Sequence, residues 1–234
     1  MASRWTSPHF VASLIVPMVA AVVLFAVALP RLSAAVAELP ARPAIEKIHS
    51  GEHISMRALE SAEKSLSAAN RSSDDAERWS TVGLLRYLQA REQSDDNERR
   101  HSLLEASSAA SRSAVSLNPA KGYAWLRLAQ SELALHGVSE PVVHALDMAL
   151  RTLPANRGSV IGLVEMTLIA WPAMSEASRD RARAQFSYAV TVHPTRLVEV
   201  AEKRLASPIV RAALRRSPEL LDLFDTRRQQ LRRN

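Results

Sequence analysis

The chain has 234 residues, of which 47% are hydrophobic, 5% aromatic and 23% charged. Six glycines leave little material for the turns of an all-β fold, whereas abundant Ala, Leu, Arg and Glu favour helix, so the sequence predicts an all-α protein. The absence of cysteine excludes disulfides, iron–sulfur clusters, cysteine-type zinc sites and thiol nucleophiles.

The net charge of +6 is concentrated at the C-terminal end. Residues 195–234 hold ten Lys or Arg against five Asp or Glu, whereas residues 43–194 hold seventeen against eighteen. A nearly neutral body with a basic end argues against a surface built for nucleic acid, and no nucleic-acid partner is expected. Arginine outnumbers lysine by 26 to 4, which, with the abundance of alanine, indicates a GC-rich bacterial genome.

Residues 10–29 form an uncharged apolar run that follows a short N-terminal tail, residues 1–9. As a helix rising ~1.5 Å per residue, the run matches a hydrocarbon core of roughly 30 Å. We therefore expect a single-pass anchor in the inner (cytoplasmic) membrane. The alternative is a cleaved signal peptide, because Ala35, Val36 and Ala37 form a small-x-small motif, although the run exceeds the ~7–15 residues of a signal core.

Orientation in the membrane is not decided by the flanking charges. Basic residues stand on both sides of the run, so the positive-inside rule gives no clear answer. Signal-anchors near an N-terminus commonly place the bulk of the protein outside the cytoplasm. The soluble part is therefore expected in the periplasm.

Residues 30–52 contain three prolines and Gly51, a composition that predicts an extended linker with at most one short helix. A helical domain is expected over residues 53–194. Its first helix is predicted over 54–70, and a capping box at 72–75 predicts a second over 74–92. Apolar residues at helical spacing, beginning with Trp125, Leu128 and Ala129, then predict four amphipathic helices that end at Gly137, Pro154, Pro172 and Pro194.

Three predicted helix ends share a pattern. Residues 114–119, 149–154 and 189–194 each place alanine five residues before proline, and the prolines are 35 and 40 residues apart. Small alanines allow helices to approach closely, and each proline turns the chain into the next helix.

These motifs resemble the tetratricopeptide repeat, whose unit of about 34 residues has the pattern W-x2-L-G-x2-Y, A-x3-F and a closing proline. The matches are Trp79-x2-Val82-Gly83, Trp125-x2-Leu128-Ala129, the weaker Val160-x2-Leu163-Val164, and Ala182-x3-Phe186 followed by Ala189 and Pro194. The tyrosine position is filled by Arg86 and Glu132 instead. The resemblance covers residues 74–194 as three divergent repeats, and a generic all-α bundle is the alternative.

The resemblance implies that the first helix of each hairpin lines a concave groove for a peptide or helix of a protein partner. Its groove-facing positions carry over to Leu84, Tyr87, Tyr123, Leu126, Gln130, Ile161 and Glu165. The alternative is that these side chains pack against a terminal helix of the same chain.

Residues 195–234 are predicted to form C-terminal capping helices and a basic tail. Arginines there are interleaved with leucines, which allows two interpretations: a solvated cap, or a surface that attracts anionic lipid headgroups. The second interpretation assigns lipid contact to Arg227, Arg228, Arg232 and Arg233.

No catalytic constellation is found, and no cofactor is expected. His49 and His53 have i, i+4 spacing, but Gly51 stands between them and no acid accompanies them, so no metal site is predicted. His144 and Asp147 could share a helical turn, an arrangement more typical of a surface contact than of a catalytic pair.

The sequence therefore predicts a non-enzymatic scaffold that binds other envelope proteins, with cell-surface polysaccharide synthesis or export as the process by analogy. The alternative function is a cytoplasm-facing protein of the membrane surface whose basic C-terminal helices bind anionic lipid.

Overall fold

The prediction of an all-α protein with an apolar N-terminal helix is confirmed. The computed structural model describes residues 8–93, 96–153 and 155–233, with side chains from residue 17 onward, and these residues form helices and no strands. Most of the predicted tail 1–9, the polar break at 94–95 and Pro154 lie outside the described residues. The helices are α1 (Pro8–Glu38), α2 (Arg42–Ser50), α3 (Met56–Ser72), α4 (Ala76–Glu92), α5 (Asn97–Leu117), α6 (Gly122–His136), α7 (Glu140–Thr152), α8 (Val160–Ala170), α9 (Glu176–Val192), α10 (Pro194–Lys203), α11 (Ser207–Leu214) and α12 (Pro218–Arg233), with short 3₁₀ helices at Leu39–Ala41 and Trp171–Ala173.

The chain divides into two compact units, Met1–Asp75 and Ala76–Asn234. Helix α3 belongs to the first unit, whereas the sequence pattern places the start of the repeat domain at residue 53. The resemblance to the tetratricopeptide repeat falls almost entirely in the second unit.

In the first unit, α1 continues well beyond the apolar run. It passes through Pro17 and Pro30 and ends at Glu38, and the 3₁₀ turn and α2 follow it directly. The extended linker predicted over residues 30–52 is therefore not observed. The physical reason is tertiary packing: Ala34 and Ala41 are fully buried, and α3 lies against both α1 and the 3₁₀ turn.

Helix α3 has the ordinary features of an amphipathic helix. Ser55 caps its N-terminus by accepting a hydrogen bond from the Ala58 amide. The face that is buried carries Leu59, Ala62, Leu66 and Ala69, at helical spacing. The predicted helix 54–70 is thus present, displaced by two residues at each end.

The second unit begins with three successive helix pairs, α4–α5, α6–α7 and α8–α9. Within each pair the helices are joined by short connections and pack on each other, as expected of antiparallel neighbours. Helix α4 also contacts α6, α6 contacts α8, and α7 contacts α9. Helices α10, α11 and α12 then cover α8 and α9.

Helix α8 joins two hydrophobic cores of this unit. Leu163 and Met166 lie in a core formed with α6 and α7, whereas Val160 and Val164 lie in a core formed with helices α9 to α12. Phe186 and Phe224 are fully buried in the second core. Because α8 is covered on two sides, the C-terminal helices belong structurally to the same unit as α8 and are more than an appended tail.

The three predicted helix ends share a geometry. Helices α5, α7 and α9 end at Leu117, Thr152 and Val192, and in each case the next amide N–H donates to the carbonyl of the alanine four residues earlier, over 3.0, 2.8 and 2.8 Å. The alanines are Ala114, Ala149 and Ala189, all with no exposed surface. The shared sequence pattern therefore corresponds to a shared local structure at these three helix ends.

Two glycines mark close helix contacts. A Cβ on Gly83 of α4 would lie 2.7 Å from the Ser111 hydroxyl of α5, and a Cβ on Gly122 of α6 would lie 2.6 Å from the Cα of Leu153. Both distances are shorter than a Cβ atom can approach a non-bonded atom. Glycine is therefore required at these positions by packing and not by an unusual backbone angle.

Candidate functional site

Arg127 of α6 occupies an unusual environment on the side of the second unit formed by α4 and α6. Its guanidinium carbon lies 4.5 Å from the ring centroid of Tyr87 on α4, and its Nη1 donates to Gln130 Oε1 over 2.8 Å. Its Nε is buried without a hydrogen-bond acceptor. No carboxylate pairs with this guanidinium in the part of the chain that the structure describes.

Burial lowers the pKa of Arg127 to about 10. The nearby Arg91 adds to the lowering, and Tyr87 acts in the opposite direction. The side chain remains cationic at neutral pH but has lost part of its hydration, so it is a charge that an external anion would stabilise.

The same row of polar side chains continues onto α8 and α10. Gly162 of α8 lies beside Gln130, since a Cβ on this glycine would be 3.6 Å from Gln130 Nε2. One turn later, Glu165 accepts from Arg204, the residue that follows the end of α10, with 2.6 Å between Oε1 and Nη2. The row from Tyr87 to Arg204 therefore runs across α4, α6 and α8 to the end of α10.

The structure places only part of the predicted groove on this row. Tyr87, Gln130 and Glu165 lie on it. Leu126 is 6% exposed and belongs to the core, which contradicts its assignment to the groove. The remaining predicted positions are the half-buried Leu84, Ile161, which packs against the second core, and the exposed Tyr123.

Two charged members of the row, Arg127 and Arg204, were not identified from the sequence. Arg127 stands three residues before Gln130, so helical spacing offered a signal for it. Arg204 is 39 residues from its partner Glu165, and no sequence pattern links the two.

A buried polar seam joins α4, α5 and α6. The Ser107 hydroxyl donates to the Gly83 carbonyl over 2.7 Å and lies 2.9 Å from the Ser131 hydroxyl. Glu132, only 4% exposed, accepts from Ser108 and from Arg112 Nη2. Glu132 fills a position that is tyrosine in the tetratricopeptide pattern, and here it binds α5 through charge and hydrogen bonds.

The four arginines that the sequence assigns to lipid contact make different contacts in the structure. Arg228 Nε and Arg232 Nη2 both donate to Glu202 of α10, over 2.5 and 3.2 Å. Arg227 donates to Gln230, and Arg233 is exposed. Two of the four are therefore committed to contacts that hold α12 on α10.

Glu202 is the centre of that contact. The Ser207 hydroxyl donates to it over 2.5 Å. This hydrogen bond lowers the pKa of Glu202 to about 2. Burial acts in the opposite direction, and Arg228 and Arg232 add to the lowering. The carboxylate joins α10, the start of α11 and α12 through one ionised group.

The residues considered for chemistry serve other roles. Gly51 takes a left-handed conformation (φ 74°) that ends α2, so His49 and His53 do not share a helix face. His144 lies edge-to-face with Trp125, at 5.7 Å between ring centroids. Asp147 instead accepts hydrogen bonds from Ser178, Arg151 and Arg181. Burial alone would raise the pKa of Asp147, but these hydrogen bonds outweigh burial and lower it. Among the described residues, no group of three or more His, Asp or Glu side chains is placed to hold a metal ion.

Comparison with known protein families, curated proteins and solved structures finds no match to this chain. Over the residues that the structure describes, the class is an all-helical protein with one N-terminal helix long and apolar enough, by length and composition, to cross a membrane.

Proposed function

We propose that the protein is a membrane-anchored scaffold in which a tetratricopeptide-like array, α4 to α9, binds other proteins of the bacterial cell envelope. The observation that carries this proposal is the row from Tyr87 through Arg127, Gln130 and Glu165 to Arg204. All of its members except Arg204 lie on α4, α6 and α8, the first helices of the three successive pairs.

The anchor is supported by the character of α1. The part of the chain that begins at Pro17 includes a helical stretch long and apolar enough to cross a membrane, and almost none of that stretch is buried. Val22, Leu24 and Phe25 are each more than 60% exposed. A continuous apolar helix without a protein cover is stable in a bilayer, where its surface contacts lipid tails instead of water. A signal sequence would share this composition, so the two are separated by experiment.

The row favours a partner segment that carries an acidic side chain. The Arg127 guanidinium is a partly dehydrated positive charge, and Tyr87 offers an aromatic surface beside it. A carboxylate from a partner would form charge-assisted hydrogen bonds there, and the neighbouring aromatic and amide groups would hold the rest of an extended or helical segment. Because anchored repeat proteins of this kind often accompany cell-surface polysaccharide synthesis or export, we propose that process.

Site-specific photocrosslinking tests the binding row. A photoreactive residue replaces Gln130, which lies on the row. The matched control places it at the exposed Glu140 on α7, which is the second helix of its pair and carries no member of the row. After illumination of intact cells, the proposal expects a discrete crosslinked species from position 130 that is absent from position 140 and is lost when Arg127→Gln is added. Equal crosslinking from both positions would show that the row is not a binding surface.

Topology and the mass of the mature chain test the anchor and the compartment. We expect an intact chain whose C-terminal reporter is active only in the periplasm. A shorter mass that begins after Ala37 would instead identify a cleaved signal peptide.

The second candidate function is a cytoplasm-facing protein whose basic C-terminal helices bind anionic lipid. It is favoured by the exposure of Arg227, Arg232 and Arg233 at the end of α12. A cytoplasmic C-terminus in the topology experiment would support this candidate and exclude the periplasmic scaffold.

A further inference from the structure

A cleft of about 350 Å³ lies between α11 and α12 in the second unit. Its volume is within the range of small-molecule sites. Three arginines and three apolar residues line it: Arg211, Arg215, Arg228, Pro208, Ala212 and Leu221. The cleft does not include the row on α4 to α10, so a ligand site in the cleft would be independent of the scaffold function.

Two of the three arginines form ion pairs with carboxylates. Arg211 Nη1 lies 3.0 Å from Asp225 Oδ1, and Arg228 Nε donates to Glu202 over 2.5 Å. A guanidinium has five N–H donors, so each of these arginines keeps several for another acceptor. The hydrogen bond to Glu202 restricts the Arg228 side chain in advance, which reduces the entropy lost when a ligand binds.

Arg215 differs from the other two. It is exposed at the end of α11, and within the described part of the chain no carboxylate is paired with it. The three arginines face two pairing carboxylates, Asp225 and Glu202, which leaves a formal excess of positive charge at the cleft. An anion that bridges several guanidinium groups would compensate this excess.

We propose that the cleft binds a phosphate group. Arginine is well suited to phosphate because its planar fork can donate two parallel hydrogen bonds to one anion, and a tetrahedral phosphate can accept from several forks at once. The apolar side of the cleft, Ala212 and Leu221 with Pro208, accommodates the organic part of a phosphate ester. The shared chemistry fits both a soluble phosphate and the headgroup of an anionic phospholipid.

The site differs from the tail arginines that the sequence suggests for lipid contact. Only Arg228 belongs to both sets. Arg211 and Arg215 lie on or next to α11, whereas Arg227, Arg232 and Arg233 are at the end of α12 and do not line the cleft.

Arg215→Gln tests the proposal against a matched control, Arg216→Gln. The two residues are adjacent and exposed and make the same change in net charge, but only Arg215 lines the cleft. The full chain is placed in phosphatidylcholine nanodiscs and titrated by calorimetry with inorganic phosphate and with glycerol 3-phosphate, at constant ionic strength. In a second arm, native mass spectrometry measures phosphatidic acid retained by the full chain in detergent.

We expect saturable binding in at least one arm. Arg215→Gln should weaken the affinity about tenfold or more, and Arg216→Gln less than about twofold. The reason is that a charge hydrogen-bonded to the ligand contributes more to affinity than a nearby charge screened by solvent. Binding in the calorimetric arm identifies a soluble phosphate ligand, and lipid retention alone identifies a headgroup. The double variant Arg211→Gln with Asp225→Asn, which removes a pair without leaving a lone charge, should weaken the same signal. An equal loss of affinity from Arg215→Gln and Arg216→Gln would overturn the proposal. The absence of binding from both the calorimetric arm and the lipid arm would also overturn it.

Discussion

Gly122 and Leu153 bring the start of α6 against the end of α7 at backbone distance. A Cβ on Gly122 would lie 2.6 Å from both the Cα and the backbone nitrogen of Leu153. Backbone atoms cannot rotate away as the end of a long side chain can. The contact therefore fixes how the second helix pair closes on itself.

Gly122→Ala is expected to lower the free energy of unfolding by about 1–3 kcal/mol, because the added methyl group forces the two helix ends apart. Thermal unfolding of the full chain in detergent, followed by circular dichroism, measures the change. The matched control is Gly162→Ala within α8, where the new Cβ meets only an ordinary contact at 3.6 Å. That control should be neutral or stabilising by up to about 1 kcal/mol, since alanine is the better helix former. Equal effects at both glycines would contradict the close approach.

Ser107 and Ser131 are expected to be energetically coupled. Both are fully buried, and their hydroxyl oxygens are 2.9 Å apart. Ser107→Ala alone should cost about 1–3 kcal/mol because it leaves the Ser131 hydroxyl without this partner, whereas the double alanine variant should cost less than the sum of the two single ones. A double-mutant cycle from urea unfolding measures the difference. Strict additivity would show that the hydroxyls do not interact.

The C-terminal helices should loosen in acid because of Glu202. Its pKa is lowered from the ordinary 4.5 to about 2, so its contribution to stability is complete above about pH 4.5 and is lost as the pH falls towards 2. The stability difference between the wild type and Glu202→Gln should therefore be constant near neutral pH and shrink over that interval. Urea midpoints at pH 7 to 2 provide the measurement.

Glu199→Gln is the matched control for this experiment. Glu199 lies on the same helix, is exposed and has the same charge. At neutral pH this variant should lose less stability than Glu202→Gln, because no arginine pairs with Glu199 in the described part of the chain. A constant difference between the wild type and Glu202→Gln down to pH 2 would show that Glu202 does not cause the loosening in acid.

Val22→Arg should reduce membrane insertion of α1. A central arginine costs about 2.5–3.5 kcal/mol of apparent insertion free energy in a transmembrane helix. Alkaline extraction of membranes followed by immunoblotting measures the inserted fraction. Val36→Arg places the same charge beyond the apolar run, on an equally exposed part of α1, and should leave insertion unchanged. Similar extraction of both variants would argue against a transmembrane role for residues 10–29.

The elements predicted correctly are those encoded by local patterns. The ends of α5, α7 and α9 follow from alanine at a fixed distance before a turn, and the helix expected over residues 54–70 is present as α3, Met56–Ser72. By contrast, residues 30–52 contain prolines that locally favour an extended chain. They are mostly helical because Ala34 and Ala41 are buried in tertiary contacts that their own sequence does not reveal.

The candidate site was predicted less completely for the same reason. Leu126 has the residue type of a groove contact, but spacing alone does not show which side of α6 faces the core, and it is buried there. Arg127 has the charge of a solvent-facing residue, yet its long side chain folds over Tyr87. Glu202 and its partners Arg228 and Arg232 are separated by 26 and 30 residues, a relation that only the folded chain creates.

The uninterrupted course of α1 has a mechanical consequence for the proposed anchor. From Pro30 to Glu38 the helix extends roughly 13 Å beyond the apolar run, at ~1.5 Å per residue. Helix α3 lies along α1, and the hydroxyls of Ser33 and Ser72 are 3.3 Å apart. On the proposed topology this part of the first unit is a stiff stem and not a flexible tether. A tilt or rotation of the span in the bilayer would be transmitted directly to α3.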